Sequence, residues 1–153
     1  MYKQFLVAAF ISVVLVGCAG TQPKPSADSG DQSWITPQQA VMSAAEAAPA
    51  GVDGTFAMTV RATGAQNGRT YLNSEQDYRD QRNLTVALSP RAAAQLAQRL
   101  GAPPSVGLRG ENILVRGTAR RTRINFFANG QMTGKYYYQT HVEVTEPDQI
   151  TLR

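Results

Sequence analysis

The chain has 153 residues, with 15 Lys and Arg against 11 Asp and Glu and a formal net charge of +4. It contains one cysteine, Cys18, and one histidine, which excludes an internal disulfide and a metal site built from several histidines. Residues 1–17 carry Lys3 followed by an apolar run that has the length of a signal-peptide core and is short for a membrane span. Without them, the chain is long enough for one domain with its own core and too short for two.

The sequence LVGC at residues 15–18 resembles the lipobox of bacterial lipoproteins. The resemblance implies that residues 1–17 are a lipoprotein signal peptide and that Cys18 is the lipidation site, with acyl chains holding the protein on a membrane. Ala19 follows in place of the aspartate of an inner-membrane retention signal, which implies the outer membrane and a domain facing the periplasm. The alternatives are an uncleaved signal anchor and an ordinary secretory peptide with an incidental cysteine.

A linker and a short helix come next in the chain. Residues 18–33 are polar and rich in Ser, Pro and Gly, so they are predicted to be a flexible linker. Residues 34–50 are predicted to contain a helix that begins at Thr36, with Pro37 in its first turn and Gln39 completing a capping box. Its apolar face is expected to comprise Ala40, Val41, Ala44, Ala45 and Ala48. Trp34 is expected to anchor this helix on the domain.

Residues 54–153 are predicted to form the main domain, with strands of period two. The first strand begins at Thr55, and the Asn67-Gly68 pair predicts a hairpin to a second strand at 69–73. A third strand buries Leu84, Val86 and Leu88, and a helix follows from Ser89 to a cap at Gly101. After a loop at 102–107, a fourth strand covers 111–127, a turn covers 128–134 and a fifth strand covers 135–144.

This order of elements predicts a mainly β (α+β) fold. Three strands, one capped helix and two longer strands are the order found in an OB-fold, a five-stranded Greek-key barrel with its helix between strands 3 and 4. Gly117, inside the fourth strand, would suit a sharp bend of such a barrel. An open α+β sheet with the same elements is the alternative.

Several short motifs resemble OB-fold domains of bacterial proteins of largely unassigned function, some of them coupled to nuclease-like partners. They are YLN at 71–73, DYR at 77–79, VRG at 115–117 and EVTEPDQI at 143–150. OB-folds bind oligonucleotides, oligosaccharides or proteins, so the resemblance implies a fold and leaves the activity open.

The sequence offers no catalytic, metal or cofactor site. The single histidine, His141, is expected to be a half-exposed strand residue, and a serine triad has no support elsewhere. Glu75, Asp77 and Asp80 cluster before the third strand, but the arginines among them favour a solvated loop with local ion pairs over a cation site.

The charge of the main domain suggests a binding surface. From Gly54 onward the sequence has thirteen Lys and Arg and seven Asp and Glu, a net charge of +6, and all but one of the cations are arginine. Arginine suits bidentate recognition of phosphate and carboxylate, and tyrosine offers a ring for stacking. The predicted ligand-binding wall comprises Arg61, Tyr71, Arg116, Arg120, Arg121, Arg123 and Tyr137. Solubility alone is the alternative explanation of this charge.

Together these features predict a lipoprotein that binds or scaffolds without catalysis. The lipid at Cys18 would supply the membrane contact, and the expected partner is a protein or an anionic envelope polymer. A single-strand nucleic-acid-binding accessory module, possibly with a nuclease partner, is the alternative, although a periplasmic location disfavours nucleic acid. A hydrolase is the weakest hypothesis, and Asp77 is the first carboxylate to examine for it.

Overall fold

The computed structural model describes residues 34–153, which belong to one compact unit. The predicted signal peptide, linker and lipidation site Cys18 lie outside the described residues. The described chain is mainly β, and its elements in order are α1 Pro37–Glu46, β1 Val52–Thr59, β2 Ala62–Gln66, β3 Arg69–Asn73, β4 Leu84–Leu88, α2 Pro90–Leu100, α3 Pro104–Gly107, β5 Asn112–Ala128, β6 Gln131–Val144 and β7 Ile150–Leu152. Among these, no helix has the length and apolar character needed to span a bilayer.

Helix α1 begins as its sequence predicts and packs against the sheet. The Thr36 hydroxyl accepts a hydrogen bond from the Gln39 backbone N–H, and the Gln39 side chain accepts one from the Thr36 backbone N–H. Ala40 and Ala44 are fully buried in the core, whereas Ala45 is exposed. The buried face is therefore narrower than the predicted one, because only the positions directly over the sheet lose their contact with water.

Trp34, just before α1, is half-buried and packs against Arg153. The guanidinium of Arg153 lies 4.0 Å from the centroid of its ring. Ile35 then forms an isolated bridge to Phe56 of β1. This cation–π contact and the bridge fix the start of α1 to the domain.

The single strand predicted for residues 55–64 is part of two strands with different partners. β1 pairs antiparallel with β5, and β2 pairs antiparallel with β3. The change occurs at Val60 and Arg61, where the Val60 N–H donates to the Glu111 carbonyl and the Arg61 N–H donates to the Asn73 carbonyl. The chain thus changes direction between β1 and β2, because consecutive backbone amides bond to different segments of the chain.

The sheet is mixed, with neighbours in the order β1, β5, β6, β4, β3 and β2. β4 and β6 pair in parallel, with Leu84 opposite Thr140 and Leu88 opposite Val144, and the other pairings are antiparallel. All five residues of β4 are buried, as expected for a central strand with a neighbour on each side.

Two elements were not predicted. The loop expected at 102–107 contains the short helix α3, and the three-residue strand β7 pairs with β5 opposite Ile113, Leu114 and Val115. Both are too short to give a periodic signal in the sequence. Helix α2 is confirmed at both ends: the Ser89 hydroxyl accepts from the Ala92 N–H, and Gly101 adopts a left-handed conformation with φ +67°.

The hairpin of β5 and β6 is longer than predicted. Its turn is only Asn129-Gly130, both with positive φ, so Ala128 still pairs with Gln131 and the strands extend on either side. We call residues 121–139, where β5 and β6 pair chiefly with each other, the arm. Most of the side chains between 121 and 139 are exposed or half-buried, in contrast to the core half of each strand.

The core lies between the sheet and helices α1 and α2. Its largest fully buried side chains include Phe56, Leu72, Leu84, Ile113 and Val142. Gly117 is required by close packing within this core, since a Cβ there would lie 2.9 Å from the Val142 side chain.

The burial of Ala44 predicts a stability difference between two neighbouring substitutions. Ala44→Leu should lower the free energy of unfolding by about 1–3 kcal/mol, because the larger side chain overpacks the contact of α1 with the sheet. Ala45→Leu, at an exposed position, should change it by less than about 0.5 kcal/mol. Urea unfolding followed by circular dichroism measures both, and equal midpoints would contradict the docking of α1.

Candidate ligand-binding cavity

A row of polar side chains crosses the middle of the sheet on the face opposite the core, which we call the outer face. Asn73 lies opposite Thr85 in the pairing of β3 with β4, and Thr85 lies opposite His141 in the parallel pairing of β4 with β6. These residues alternate with the core residues Leu72, Leu84 and Val142, so they point away from the core. The row therefore brings together side chains from three strands.

A cavity of about 750 Å³ lies over this row. Its walls are β2 on one side, the loop at residues 74–83 on another, and the arm on a third, through residues such as Phe126 and Tyr137. This volume is in the range of pockets that hold small ligands or single units of a polymer. The cavity is thus formed where the outer face, a loop and a hairpin converge.

The floor of the cavity is a buried hydrogen-bond network. The Thr85 hydroxyl donates to Asn73 Oδ1 over 2.9 Å, and Asn83 Nδ2 donates to Asn73 Oδ1 over 3.1 Å and to Thr85 Oγ1 over 2.9 Å. Asn83 Oδ1 also accepts the backbone N–H of Glu75 over 3.0 Å. Because Asn83 bonds to both strands and loop, the network holds the 74–83 loop in place beside the floor.

The side-chain amide of Asn73 has a donor that the network does not use. Only 5% of its surface is exposed, both of its hydrogen bonds use Oδ1, and its Nδ2 has no protein acceptor among residues 34–153. Asn73 also lines the cavity. Because Nδ2 is not fully enclosed by protein, it can donate to a ligand acceptor in the cavity.

A second chain of hydrogen bonds runs along β6 toward the arm. Gln139 Nε2 donates to the Tyr137 hydroxyl over 2.8 Å and to the Tyr78 carbonyl over 3.2 Å. Gln139 Oε1 is then the acceptor for His141 Nε2 over 2.7 Å, which places the proton of the neutral imidazole on Nε2. The Tyr137 hydroxyl accepts in this chain, so its own proton is available to donate to a ligand.

Burial shifts the ionisation of two groups in this chain. Removal from water lowers the pKa of His141, with Arg69 acting in the same direction and Glu143 against it. Burial likewise raises the pKa of the Tyr137 hydroxyl. Both groups are therefore neutral near pH 7, and they offer hydrogen bonds instead of charge.

Aromatic rings surround the polar floor. Phe126 and Tyr137 lie with ring centroids 5.3 Å apart, and Tyr71 lies 6.3 Å from the His141 ring. Arg79, on the 74–83 loop, lies 5.0 Å from the centroid of Tyr78. Rings beside amides and hydroxyls form a site for a flat or ring-shaped polar group, which packs on the rings and bonds to the floor.

The described lining of the cavity contains few ionisable side chains. Among the described residues that line it there is no Asp, Glu, Cys or Lys, and Arg79 is the only arginine. Across residues 34–153, no cluster of His, Cys, Asp and Glu is suited to a metal ion.

The carboxylates of the neighbouring loop are already engaged. Glu75 pairs with Arg61 at 3.2 Å, and Asp77 accepts the Arg79 backbone N–H over 2.9 Å. Asp80 accepts two hydrogen bonds from the Arg82 guanidinium, which lower the pKa of this carboxyl to about 2. The contacts of Glu75 and Asp80 are ion pairs of the kind expected for this loop, whereas Asp77 bonds to a backbone N–H.

The structure does not gather the predicted ligand-binding residues into one wall. Tyr71 and Tyr137 both line the cavity. Arg120 shares the outer face as the partner of His141 in the strand pairing, but its Nε donates to the Ala50 carbonyl over 3.2 Å. Arg61 pairs with Glu75 as described above.

The other predicted arginines lie farther away. Arg116 is exposed on the part of β5 that pairs with β1. Arg121 and Arg123 lie on the opposite face of the arm from the cavity, stacked on Tyr138 and Tyr136. Arg120 and Arg121 are consecutive residues of one strand, so their side chains point to opposite faces of the sheet. They therefore cannot belong to one wall.

Sequence reasoning missed Asn73, Thr85 and Gln139 as site residues and treated His141 as an ordinary strand residue. Alternation along β4 and β6 could have placed Thr85, Gln139 and His141 on the outer face. No sequence signal joins Thr85 to His141, because they meet only through the parallel pairing of two strands that are distant in the chain.

Comparisons with known proteins give little further guidance. No known family matches the sequence, and no curated protein matches it either. Among solved structures, an aspartyl tRNA synthetase from Entamoeba histolytica is similar over 71% of this chain, with 13% identity and a TM-score of 0.39. The match spans 20% of the length of that synthetase.

The burial of His141 predicts how the protein titrates. Its pKa in the folded protein should lie below 6.5, the value expected for the unfolded chain, so protonation favours unfolding. The free energy of unfolding should therefore be highest above pH 6.5 and fall as the pH drops below it. An NMR titration of the imidazole signal gives the folded pKa directly, since the chain has one histidine.

The control is His141→Gln, which keeps a donor for Gln139. This variant should lose most of the change in unfolding free energy between pH 7 and pH 5. Asp80 does not interfere, because its carboxyl titrates near pH 2. A folded pKa at or above 6.5 would contradict the burial of the imidazole.

Proposed function

We propose that this chain is a lipid-anchored, non-catalytic binding module of the outer membrane, whose periplasmic domain holds one ring-bearing unit of an anionic envelope polymer in the outer-face cavity. The observation that carries the proposal is the chemistry of the cavity: aromatic rings around a floor of neutral donors and acceptors. The neutral floor suits a sugar ring, and the cations around the domain suit the polymer's negative charge.

The proposal includes an OB-like Greek-key barrel. If β1 and β2 are counted as one bent strand, the order of neighbours is that of five strands, with β1 returning to β5 and β2 to β3. The parallel pairing of β4 with β6 and the position of α2 between β4 and β5 also fit this topology. OB-folds bind polymers on the face of their second and third strands, between two hairpin loops. In this chain, that face is β3 and β4, which carry the floor of the cavity.

The residues that line the cavity support the non-catalytic part of the proposal. A hydrolase needs an acid and a base, or a nucleophile with a base, within reach of one substrate atom. His141 is the one ordinary base among the described lining residues, and its Nε2 proton is directed to Gln139. Asp77, the carboxylate considered from the sequence, bonds to its own loop.

Single-stranded nucleic acid is a second candidate for the same cavity. Tyr71, Tyr78 and Tyr137 would serve as stacking platforms, and stacking tolerates any base. The proposed periplasmic location favours the glycan, so the two ligands are compared in one experiment.

Tyr137→Ala should weaken polymer binding about tenfold, because it removes a ring and a hydroxyl from the cavity wall. The control is Tyr136→Ala. Tyr136 directly precedes Tyr137 but lies on the other face of the arm, so its substitution should change binding less than about twofold. The probes are soluble glycan strands from purified cell wall and an oligothymidylate, with the full-length protein in detergent micelles and affinities from fluorescence anisotropy.

The pair of probes decides between the ligands. Tyr137-dependent binding of the glycan supports the proposal, and the same dependence for oligothymidylate alone supports the nucleic-acid candidate. Equal effects of the two tyrosine substitutions would place binding outside the cavity.

The anchor is tested separately through Cys18. In cells grown with an alkyne-bearing fatty acid, the wild-type protein should be labelled and should fractionate with the outer membrane, because the lipobox resemblance implies acylation there. Cys18→Ser should abolish the label. A label that persists in Cys18→Ser, or a wild-type protein without label, would contradict the lipoprotein assignment.

A further inference from the structure

The arm carries a cationic surface on the face that the cavity does not use. Arg121 stacks over Tyr138 with its guanidinium carbon 3.8 Å from the ring centroid, and Arg123 stacks over Tyr136 at 4.0 Å. The two tyrosine rings meet edge to face with centroids 5.6 Å apart. We call these four residues the Arg-Tyr ladder. Stacking orders both guanidinium groups while they remain exposed.

The ladder presents positive charge without a protein partner. Arg121, Arg123 and Lys135 are absent from the ion pairs formed within residues 34–153. In the sequence, no Asp or Glu occurs between Glu111 and Glu143. The arm therefore matches an anionic surface of some extent better than a single carboxylate.

The rings of the ladder are poor platforms for bases or sugars. A guanidinium already covers one face of Tyr136 and one face of Tyr138. What remains available is the hydrogen-bonding edge of each guanidinium, and this edge suits phosphate oxygens. This geometry favours a phosphate-bearing surface over a stacked polymer.

Apolar side chains extend the arm beyond its cations. Met132 lies next to the Asn129-Gly130 turn with 57% of its surface exposed, and its strand partner Phe127, 63% exposed, also borders the cavity. The order along this face of the arm is thus apolar at the tip, then the Arg-Tyr ladder toward the core half of the strands. Segments that dip into a bilayer surface have this order, with apolar groups deepest and tyrosine and cations at headgroup level.

We propose that the arm docks on an anionic phospholipid surface, with Met132 at its tip entering the headgroup region and Arg121 and Arg123 binding lipid phosphates. The inference rests on the proposed function only for the anchor that brings the domain to a membrane. It does not depend on which ligand the cavity holds. Docking would make the arm a second membrane contact and fix the orientation of the domain.

The experiment uses the full-length protein reconstituted in vesicles with brominated acyl chains, which quench nearby tryptophan. Met132→Trp places a reporter at the tip, and the wild-type protein, whose only tryptophan is Trp34, gives the background. In vesicles containing phosphatidylglycerol, quenching of the tip reporter should exceed the background at least about twofold. In phosphatidylcholine vesicles the excess should be lost.

A matched pair of charge variants tests the role of the ladder. Arg121→Gln with Arg123→Gln, in the Met132→Trp protein, should reduce quenching to the wild-type background. Arg109→Gln with Arg116→Gln removes the same charge from exposed positions outside the arm and should leave quenching unchanged. Thermal unfolding by circular dichroism verifies that both variants fold.

Three results would overturn the inference. They are no excess quenching of the tip reporter, equal quenching with and without the ladder arginines, and a change of reporter emission with oligothymidylate in place of lipid that depends on those arginines. The last result would assign the ladder to nucleic acid. Because lipidation at Cys18 is measured by fatty-acid labelling, failure of docking and failure of the anchor are distinguishable.

Discussion

The parallel pairing of β4 with β6 is the constraint on which the arrangement of the sheet depends. It joins the group formed by β2, β3 and β4 to the group formed by β1, β5 and β6, so that one sheet covers one core. The register sets Val86 beside Val142 on the core face and Thr85 beside His141 on the outer face. A shift by one residue would move all of these side chains to the wrong face, so the same pairing specifies both the core and the floor of the cavity.

A buried polar network makes that floor specific. Asn73, Asn83 and Thr85 are almost fully buried, and each side chain bonds to the other two. Such groups are tolerated in a core only when their hydrogen bonds are made, which fixes the geometry of β3, β4 and the loop between them. The network uses only the Oδ1 of Asn73, so its Nδ2 can still donate into the cavity. The same residue therefore stabilises the fold and lines the cavity.

The arm uses its two faces for different chemistry. On the outer face, Gln139 and Tyr137 line a cavity with a neutral polar floor, while on the other face Arg121 and Arg123 stack on tyrosines. Alternation in a two-stranded hairpin separates these surfaces by no more than the thickness of the strands. A ligand in the cavity and a membrane under the ladder would therefore contact the same hairpin, and this arrangement suits a module that holds a polymer close to a membrane.

The sequence by itself determined the local structure. Capping residues predicted α1 and α2, the Asn67-Gly68 turn predicted the first hairpin, and period two identified the buried positions of β4, because these signals arise from neighbours in the chain. Only the tertiary structure decided the break at Val60, the brief strand β7 and the separation of the predicted arginine wall. It also assembled the cavity, which required Asn73, Thr85 and His141 from three strands to meet. Their meeting depends on long-range strand pairing and register, and no local pattern encodes which distant strands become neighbours.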